Sequence, residues 1–147
     1  MAKTREYVEI VRRILAREAP LEFHGKHYEI PYRGDDASGL GKPLKIIGQP
    51  RPDIPIYLAA IGPRNVSLTA EIAEGWLPVL FSPERSKTVF EGALEEGMAA
   101  RDPGLGSLEV VPSVQALVTD DLNSGRLALK PALALYIGGM GAKGRNF

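Results

Sequence analysis

An α/β fold with parallel strands is what this sequence predicts, and three observations predict it. A continuous apolar run, Ile54 to Ile61, lies between Pro52 and Gly62 and has the length of a strand buried on both faces. From there onward the chain alternates strand, helix, strand, helix, strand, helix. The helical stretches also carry start signals, of which Ser82-Pro83-Glu84 is the clearest: a serine N-cap, a proline at the first helical position and a carboxylate facing the dipole. Alternation of this kind implies parallel strands joined by right-handed crossovers, with helices packed on the sheet.

The elements follow in order. Thr4 to Arg17 has helical periodicity, with Tyr7, Val8, Val11, Ile14 and Leu15 on one face, and it stops ahead of Pro20. Leu21 to Ile30 suits a short hairpin, and Pro31 to Pro43 is a loop rich in Gly, Asp and Pro. Ile54 to Ile61 is the first buried strand. Val66 to Glu74 reads as a helix closed by Gly75 at C′. Trp76 to Phe81 is the second strand. The helix opened by Ser82 runs to about Arg101 and buries Val89, Phe90, Ala93, Leu94 and Met98, before Asp102-Pro103-Gly104 breaks it. Leu108 to Val118 is the third strand, with Pro112 near its start. Asp120 or Asp121 caps a last helix reaching toward Tyr136, which Pro131 kinks or divides. Three strands do not close a sheet, and each needs neighbours on both sides.

Composition narrows the functional classes. The 147 residues suit one domain, and 44% hydrophobic against 24% charged residues supports a buried core. Lys and Arg total 18, equal to Asp and Glu, so no basic surplus points to nucleic acid or an anionic membrane. The absence of cysteine excludes disulfides, thiolate metal sites and a cysteine nucleophile. His24 and His27, close together, read as a surface turn rather than metal ligands. Met1 to Glu9 has no secretory apolar region, and Pro131 to Met140 is too short to span a bilayer, so a cytoplasmic location is expected.

The stretch Ala59-Ala60-Ile61-Gly62-Pro63-Arg64-Asn65 carries the most chemistry. It lies where a buried strand gives way to a helix, and ligands of parallel α/β folds bind at the carboxyl ends of strands. Small alanines and a glycine, with positive φ at Gly62, would let a ligand approach the backbone. The helix N-terminus offers unpaired N–H groups to an anion, and Arg64 adds a charge. The competing reading is a plain Gly-Pro turn with Arg64 in water. Trp76, the single tryptophan, either walls a ring pocket or packs in the core, and core packing is favoured. Arg85 and Lys87 are read as a solvated helix face. Gly139 to Gly144 matches G-x-G-x-x-G, but no helix and acidic residue follow it here, so a glycine-rich loop is the better reading. No Ser-His-Asp, Cys-His or paired-carboxylate arrangement suggests hydrolysis.

Three segments in order resemble the luciferase-like monooxygenase superfamily, and within it the branch that uses the deazaflavin coenzyme F420. They are Arg5-Glu6-Tyr7-Val8-Glu9 through Phe23-His24-Gly25-Lys26-His27-Tyr28, then Asp53-Ile54-Pro55-Ile56-Tyr57-Leu58-Ala59-Ala60-Ile61-Gly62-Pro63 through Ala70-Glu71-Ile72-Ala73-Glu74-Gly75-Trp76-Leu77-Pro78, and Ala134-Leu135-Tyr136-Ile137-Gly138-Gly139-Met140-Gly141 through Asn146-Phe147. The resemblance implies a (β/α)8 TIM barrel, which usually takes about 250 residues. Residues 1–147 would be a partial barrel domain carrying roughly the fifth to seventh strands, truncated at both ends, with a hairpin and loop insertion over about 21–50. It implies hydride transfer to or from F420 and an unidentified small-molecule substrate. It also implies backbone contacts to the cofactor and its phosphate-bearing tail at Ala60, Ile61, Gly62, Pro63 and Arg64. FMN is the alternative cofactor, and an inactive remnant or interaction fragment the alternative role. No catalytic acid of the family maps onto a residue here, so no catalytic residue is assigned, and a homodimer is the assembly the resemblance suggests for the full-length enzyme.

Overall fold

The computed structural model describes residues 1–139, 141–142 and 145–146. They form two compact units, Met1–Ser113 and Val114–Phe147.

The first unit opens with α1, Ala2–Ala16, which ends where Arg17 turns into the left-handed region at φ 51°. Its core-facing residues are Val8 and Ile10, whereas Tyr7 is 56% exposed. The expected stripe is therefore rotated. Ile10 and Ile14, one turn apart, pack against Leu21 and Phe23 of the hairpin, which pulls that face inward. The hairpin pairs β1, Phe23–His24, with β2, Glu29–Ile30, in antiparallel register. Its turn is tied to α1 by Glu6, whose carboxylate accepts the N–H groups of Lys26, His27 and Tyr28 at 3.0, 2.9 and 3.1 Å. Burial pushes the Glu6 carboxyl up, and these three bonds overcome it and hold the group below its ordinary value. Leu21 and Leu44 exchange both backbone hydrogen bonds, which brings the Pro31 to Pro43 loop back to the hairpin.

Next come β3, Tyr57–Ala59; α2, Pro63–Ile72; β4, Gly75–Leu77; α3, Pro83–Ala99; and β5, Glu109–Val110. The order β3-β4-β5 is parallel, as the alternation requires. Each strand is shorter than the sequence suggests. Only Tyr57–Ala59 of the Ile54 to Ile61 run joins the ladder, and Ile54 and Ile61 are 43% and 46% exposed, so this strand is not buried on both faces. Trp76 to Phe81 contributes only its first two residues, with Gly75 ahead of them, and Leu80 at φ 52° turns the chain toward α3. Of Leu108 to Val118 only Glu109–Val110 pairs; Pro112, without a donor, follows the strand, and Val114 and Val118 lie exposed.

The helices also differ in detail. α2 starts at Pro63, not Val66, because proline at the first position is preset for a helical turn. Ala73 caps it, and Gly75 does not serve as C′. Gly75 is instead a crossing point: a Cβ there would collide with the Tyr57 ring, which passes over it so that the hydroxyl donates to Glu109 at 2.5 Å. Tyr57, Gly75 and Glu109 are register partners on one face, and Leu58, Trp76 and Val110 on the other. Phe90, Ala93 and Leu94 of α3 pack on the Trp76 cluster, but Val89 and Met98 are 62% and 42% exposed. α3 approaches α2 at Gly97, where a Cβ would strike the Ser67 carbonyl and Ala70. Ser82 occupies the N-cap, but its hydroxyl donates to Glu84 rather than capping the backbone. Beyond α3, Arg101 is buried without a carboxylate. Its guanidinium donates to the carbonyls of Ala70, Ala73, Leu105 and Gly106, closing the negative end of α2.

In the second unit α4, Leu122–Ala134, is capped by Asp121, which accepts from the Asn123 N–H at 2.9 Å and the Ser124 hydroxyl at 2.6 Å. Pro131 lies inside it, and the helix passes into one wide turn at Leu135–Gly139. A short antiparallel pair, β6 at Gly141–Ala142 and β7 at Arg145–Asn146, follows. The stretch Gly139 to Gly144 includes Met140, Lys143 and Gly144, which lie outside the described residues. No helix among the described residues is long and apolar enough to cross a membrane.

Two arginines fasten α1 to the sheet layer. Arg12 makes bonds of 2.7 and 2.9 Å to Glu74 and a third to the Ile72 carbonyl, while Glu74 accepts the Ile56 N–H at 2.8 Å. Arg5 grips Glu71 at 2.6 and 2.5 Å. Burial raises the Glu74 carboxyl, but the Arg12 and Ile56 bonds outweigh it and hold it below its ordinary 4.5; the Arg5 bonds do the same for Glu71. Carboxyls lowered in the folded state contribute fully above their unfolded value near 4.5 and lose that contribution as pH falls through the lowered folded values. Glu74→Gln is therefore expected to cost about 1–2 kcal/mol at neutral pH and to flatten the loss of stability below about pH 4.5. Urea unfolding at neutral and acidic pH measures both effects, and an unchanged acid slope would remove this pair from the account.

Candidate functional site

The sheet places one end of β3 beside the start of α2. Ala59 and Ala60 end the strand region with the smallest side chains that still favour ordinary φ, and Ala60 is 5% exposed. Its carbonyl accepts the Trp76 indole N–H at 2.9 Å. Trp76 itself is 1% exposed, with Phe81 and Phe90 edge-on at 5.9 and 4.9 Å. It packs in the core cluster, and its ring forms the floor of a groove on the side of α3. A buried tryptophan must satisfy its single donor, and that need is the sequence signal from which the bond to a nearby strand-end carbonyl follows.

Gly62 is the N-cap of α2, with φ −78° and ψ 149°. This is ordinary extended backbone, so the expected positive φ is absent. Among the described residues, a Cβ at Gly62 would meet nothing within 4 Å. The fold around it does not demand glycine, and the space beside the backbone is open. Among the described residues, no side chain caps α2. The N–H groups of Asn65 and Val66 both turn back to the Gly62 carbonyl, at 2.9 and 3.0 Å, and Pro63 has none. The array of helix-end donors is thus narrower than the sequence suggests. Among the described residues, the N–H groups of Ile61, Gly62 and Arg64 have no hydrogen-bond partner. Arg64 is exposed and makes no ion pair among the described residues. Three backbone donors and one guanidinium within four residues form a set whose chemistry fits an anion.

Other candidates separate from this stretch. Arg85 and Lys87 are exposed on α3. Lys87 borders a groove of 530 Å³ whose apolar walls are Trp76, Phe81, Leu94, Met98, Val110 and Pro112. His24 is engaged by Glu29 across the hairpin at 2.7 Å.

Comparison with known proteins extends this geometry. Residues 1–146 match the family model described as luciferase-like monooxygenase. A Mycobacterium tuberculosis protein named as a coenzyme F420-dependent oxidoreductase is 47% identical over the whole of this chain, which spans 43% of that protein. The coenzyme F420-dependent tetrahydromethanopterin reductase from Methanopyrus kandleri superposes with a TM-score of 0.71, at 24% identity, over 95% of this chain and 37% of its own. An F420-dependent secondary alcohol dehydrogenase, solved with an F420-acetone adduct, gives 0.59 at 24% identity, over 85% of this chain and 34% of its own. These two likenesses establish a shared α/β fold over a section of each enzyme.

The two kinds of glycine are expected to behave oppositely. Gly62→Ala introduces a side chain into open space at an ordinary φ, so unfolding free energy should move by no more than about 0.5 kcal/mol. Gly97→Ala forces a Cβ into the Ser67 carbonyl and should cost about 1–3 kcal/mol. Chemical denaturation of both variants checks this, and a Gly62→Ala loss as large as that of Gly97→Ala would mean the space at Gly62 is already filled.

Proposed function

The chain belongs to the luciferase-like monooxygenase family, and from that premise we propose that it is a section of a coenzyme F420-dependent oxidoreductase acting on a small organic substrate. The observation that carries the proposal is the 47% identity, across the full chain, to a protein named for that cofactor. Ala60, Ile61, Gly62, Pro63 and Arg64 are the residues assigned to the cofactor. Bound there, the deazaflavin supplies the hydride chemistry; the protein contributes position and exclusion of water. The N–H groups of Ile61, Gly62 and Arg64 donate to the anionic tail, and the Arg64 guanidinium balances its charge. Gly62 keeps the backbone accessible. Proline at 63 fixes the first turn of α2 and so the direction of the Arg64 N–H.

Catalysis needs more than this cradle. Hydride transfer requires the ring held against its substrate within fractions of an ångström, and small errors in placement cost orders of magnitude. The chain spans less than half of the relative it matches, and among the described residues its parallel sheet has three strands. The proposed whole is a (β/α)8 barrel, in which β3, β4 and β5 are consecutive strands with Tyr57, Gly75 and Glu109 facing the lumen. The 147-residue chain is accordingly expected to bind the cofactor tail weakly without turnover. Mixing it with reduced F420 and a panel of carbonyl acceptors, and following the oxidised ring by absorbance, tests this. Turnover matching that of a full-length homologue would contradict the requirement for further strands.

The cradle has its own test. Arg64→Ala should weaken F420 binding by about 1–3 kcal/mol, and added salt should narrow the gap between variant and parent. Equilibrium dialysis against F420 and against FMN measures both. Equal F420 affinity in the two proteins would return Arg64 to solvent, and tight FMN binding without F420 binding would replace the deazaflavin by a flavin.

A further inference from the structure

We infer that Trp76 is a positioning residue for cofactor binding, acting through the peptide between Ala60 and Ile61; the inference rests on the cradle proposed above. The indole N–H holds the Ala60 carbonyl at 2.9 Å on the core side. The Ala60–Ile61 bond is trans, because the chain's cis peptide among the described residues is at Ile30-Pro31. In a trans peptide the carbonyl and the N–H point in opposite directions. Drawing the Ala60 oxygen inward therefore turns the Ile61 N–H outward, beside the open approach at Gly62 and the N–H of Arg64. The bond is stiff: Trp76 is 1% exposed, Phe81 and Phe90 flank its ring, and Ala60 and Val66 complete the cluster. Without the indole donor, the Ala60 carbonyl is left buried and unpaired, and rotation of the peptide toward solvent relieves it. That rotation withdraws the Ile61 N–H from the anion. A tryptophan outside the proposed cradle thus sets the direction of a backbone donor.

The test compares the chain with Trp76→Phe, which keeps an aromatic ring in the core and removes the donor. Two readouts are needed: affinity for F420 by equilibrium dialysis, and the amide resonances of Ile61, Gly62 and Arg64 during titration with F420 and with inorganic phosphate. Trp76→Phe is expected to weaken F420 binding about 5–10-fold, with the ligand-induced shift of the Ile61 amide lost and those of Gly62 and Arg64 kept. A merely structural role for Trp76 would lower stability and leave the Ile61 response intact in the folded fraction. Because Trp76 is the only tryptophan, its indole N–H resonance can also be followed in the unaltered chain, which decides the matter even where the variant does not fold. Movement of that resonance together with the Ile61 amide on ligand addition supports the coupling. Equal affinity in Trp76→Phe, or an indole resonance that stays still while Ile61 moves, overturns the inference and leaves the cradle standing. Failure of the unaltered chain to bind either ligand overturns the cradle and the inference together.

Discussion

The hydrogen bond from the Trp76 indole to the Ala60 carbonyl is the constraint on which the upper edge of this fold depends. It joins the end of β3 to β4 on the side that carries α3. Burying an indole donor or a carbonyl without a partner costs about 1–3 kcal/mol, and here each satisfies the other. Val66, fully buried, completes the cluster from the first turn of α2. The start of α2 is thereby set by core packing rather than by a capping side chain, and Gly62 and Arg64 remain outside that packing, facing solvent.

The opposite end of the layer is fastened far more heavily. Arg101 collects four carbonyls at the C-terminal end of α2 and the turn before β5. Gly97 lets α3 lie directly on the α2 backbone. Arg12 with Glu74 and Arg5 with Glu71 bind α1 to the same region. Polar bonding is therefore concentrated at the amino ends of β3 and β4, while the carboxyl end of β3 carries small residues and backbone donors without partners among the described residues. This asymmetry is the division expected of a parallel α/β layer, with stability at one end and ligand contact at the other.

Local sequence made the kinds of element legible and left their limits obscure. The β-rich run at Ile54 to Ile61 marks a strand correctly, but how much of it pairs depends on neighbouring strands, and among the described residues β4 is its one ladder partner. Pro63 did carry the signal for the start of α2, and its use as an N1 proline corrects Val66. Gly75 sits where a helix terminator belongs, yet its purpose is passage of the Tyr57 ring, a tertiary need that no local pattern reports. Arg101 marks a helix end in the sequence, whereas its burial follows in part from two carbonyls about thirty positions away. Within the site, the placement of Ala60 to Arg64 at a strand-to-helix junction was legible; the backbone angle of Gly62 and the donors already turned onto its carbonyl were not, because both are set by the geometry of the first turn.

Backbone donors without partners among the described residues gather on a single stretch, and the central proposal is that this stretch receives the anionic part of coenzyme F420. A crystal structure of the chain, or of a longer form containing it, grown with F420 measures this most directly. The account predicts a phosphate or carboxylate oxygen within about 3 Å of the Ile61, Gly62 or Arg64 nitrogen, with the guanidinium of Arg64 turned toward it. Cofactor density located elsewhere, with water alone against these three nitrogens, would contradict it.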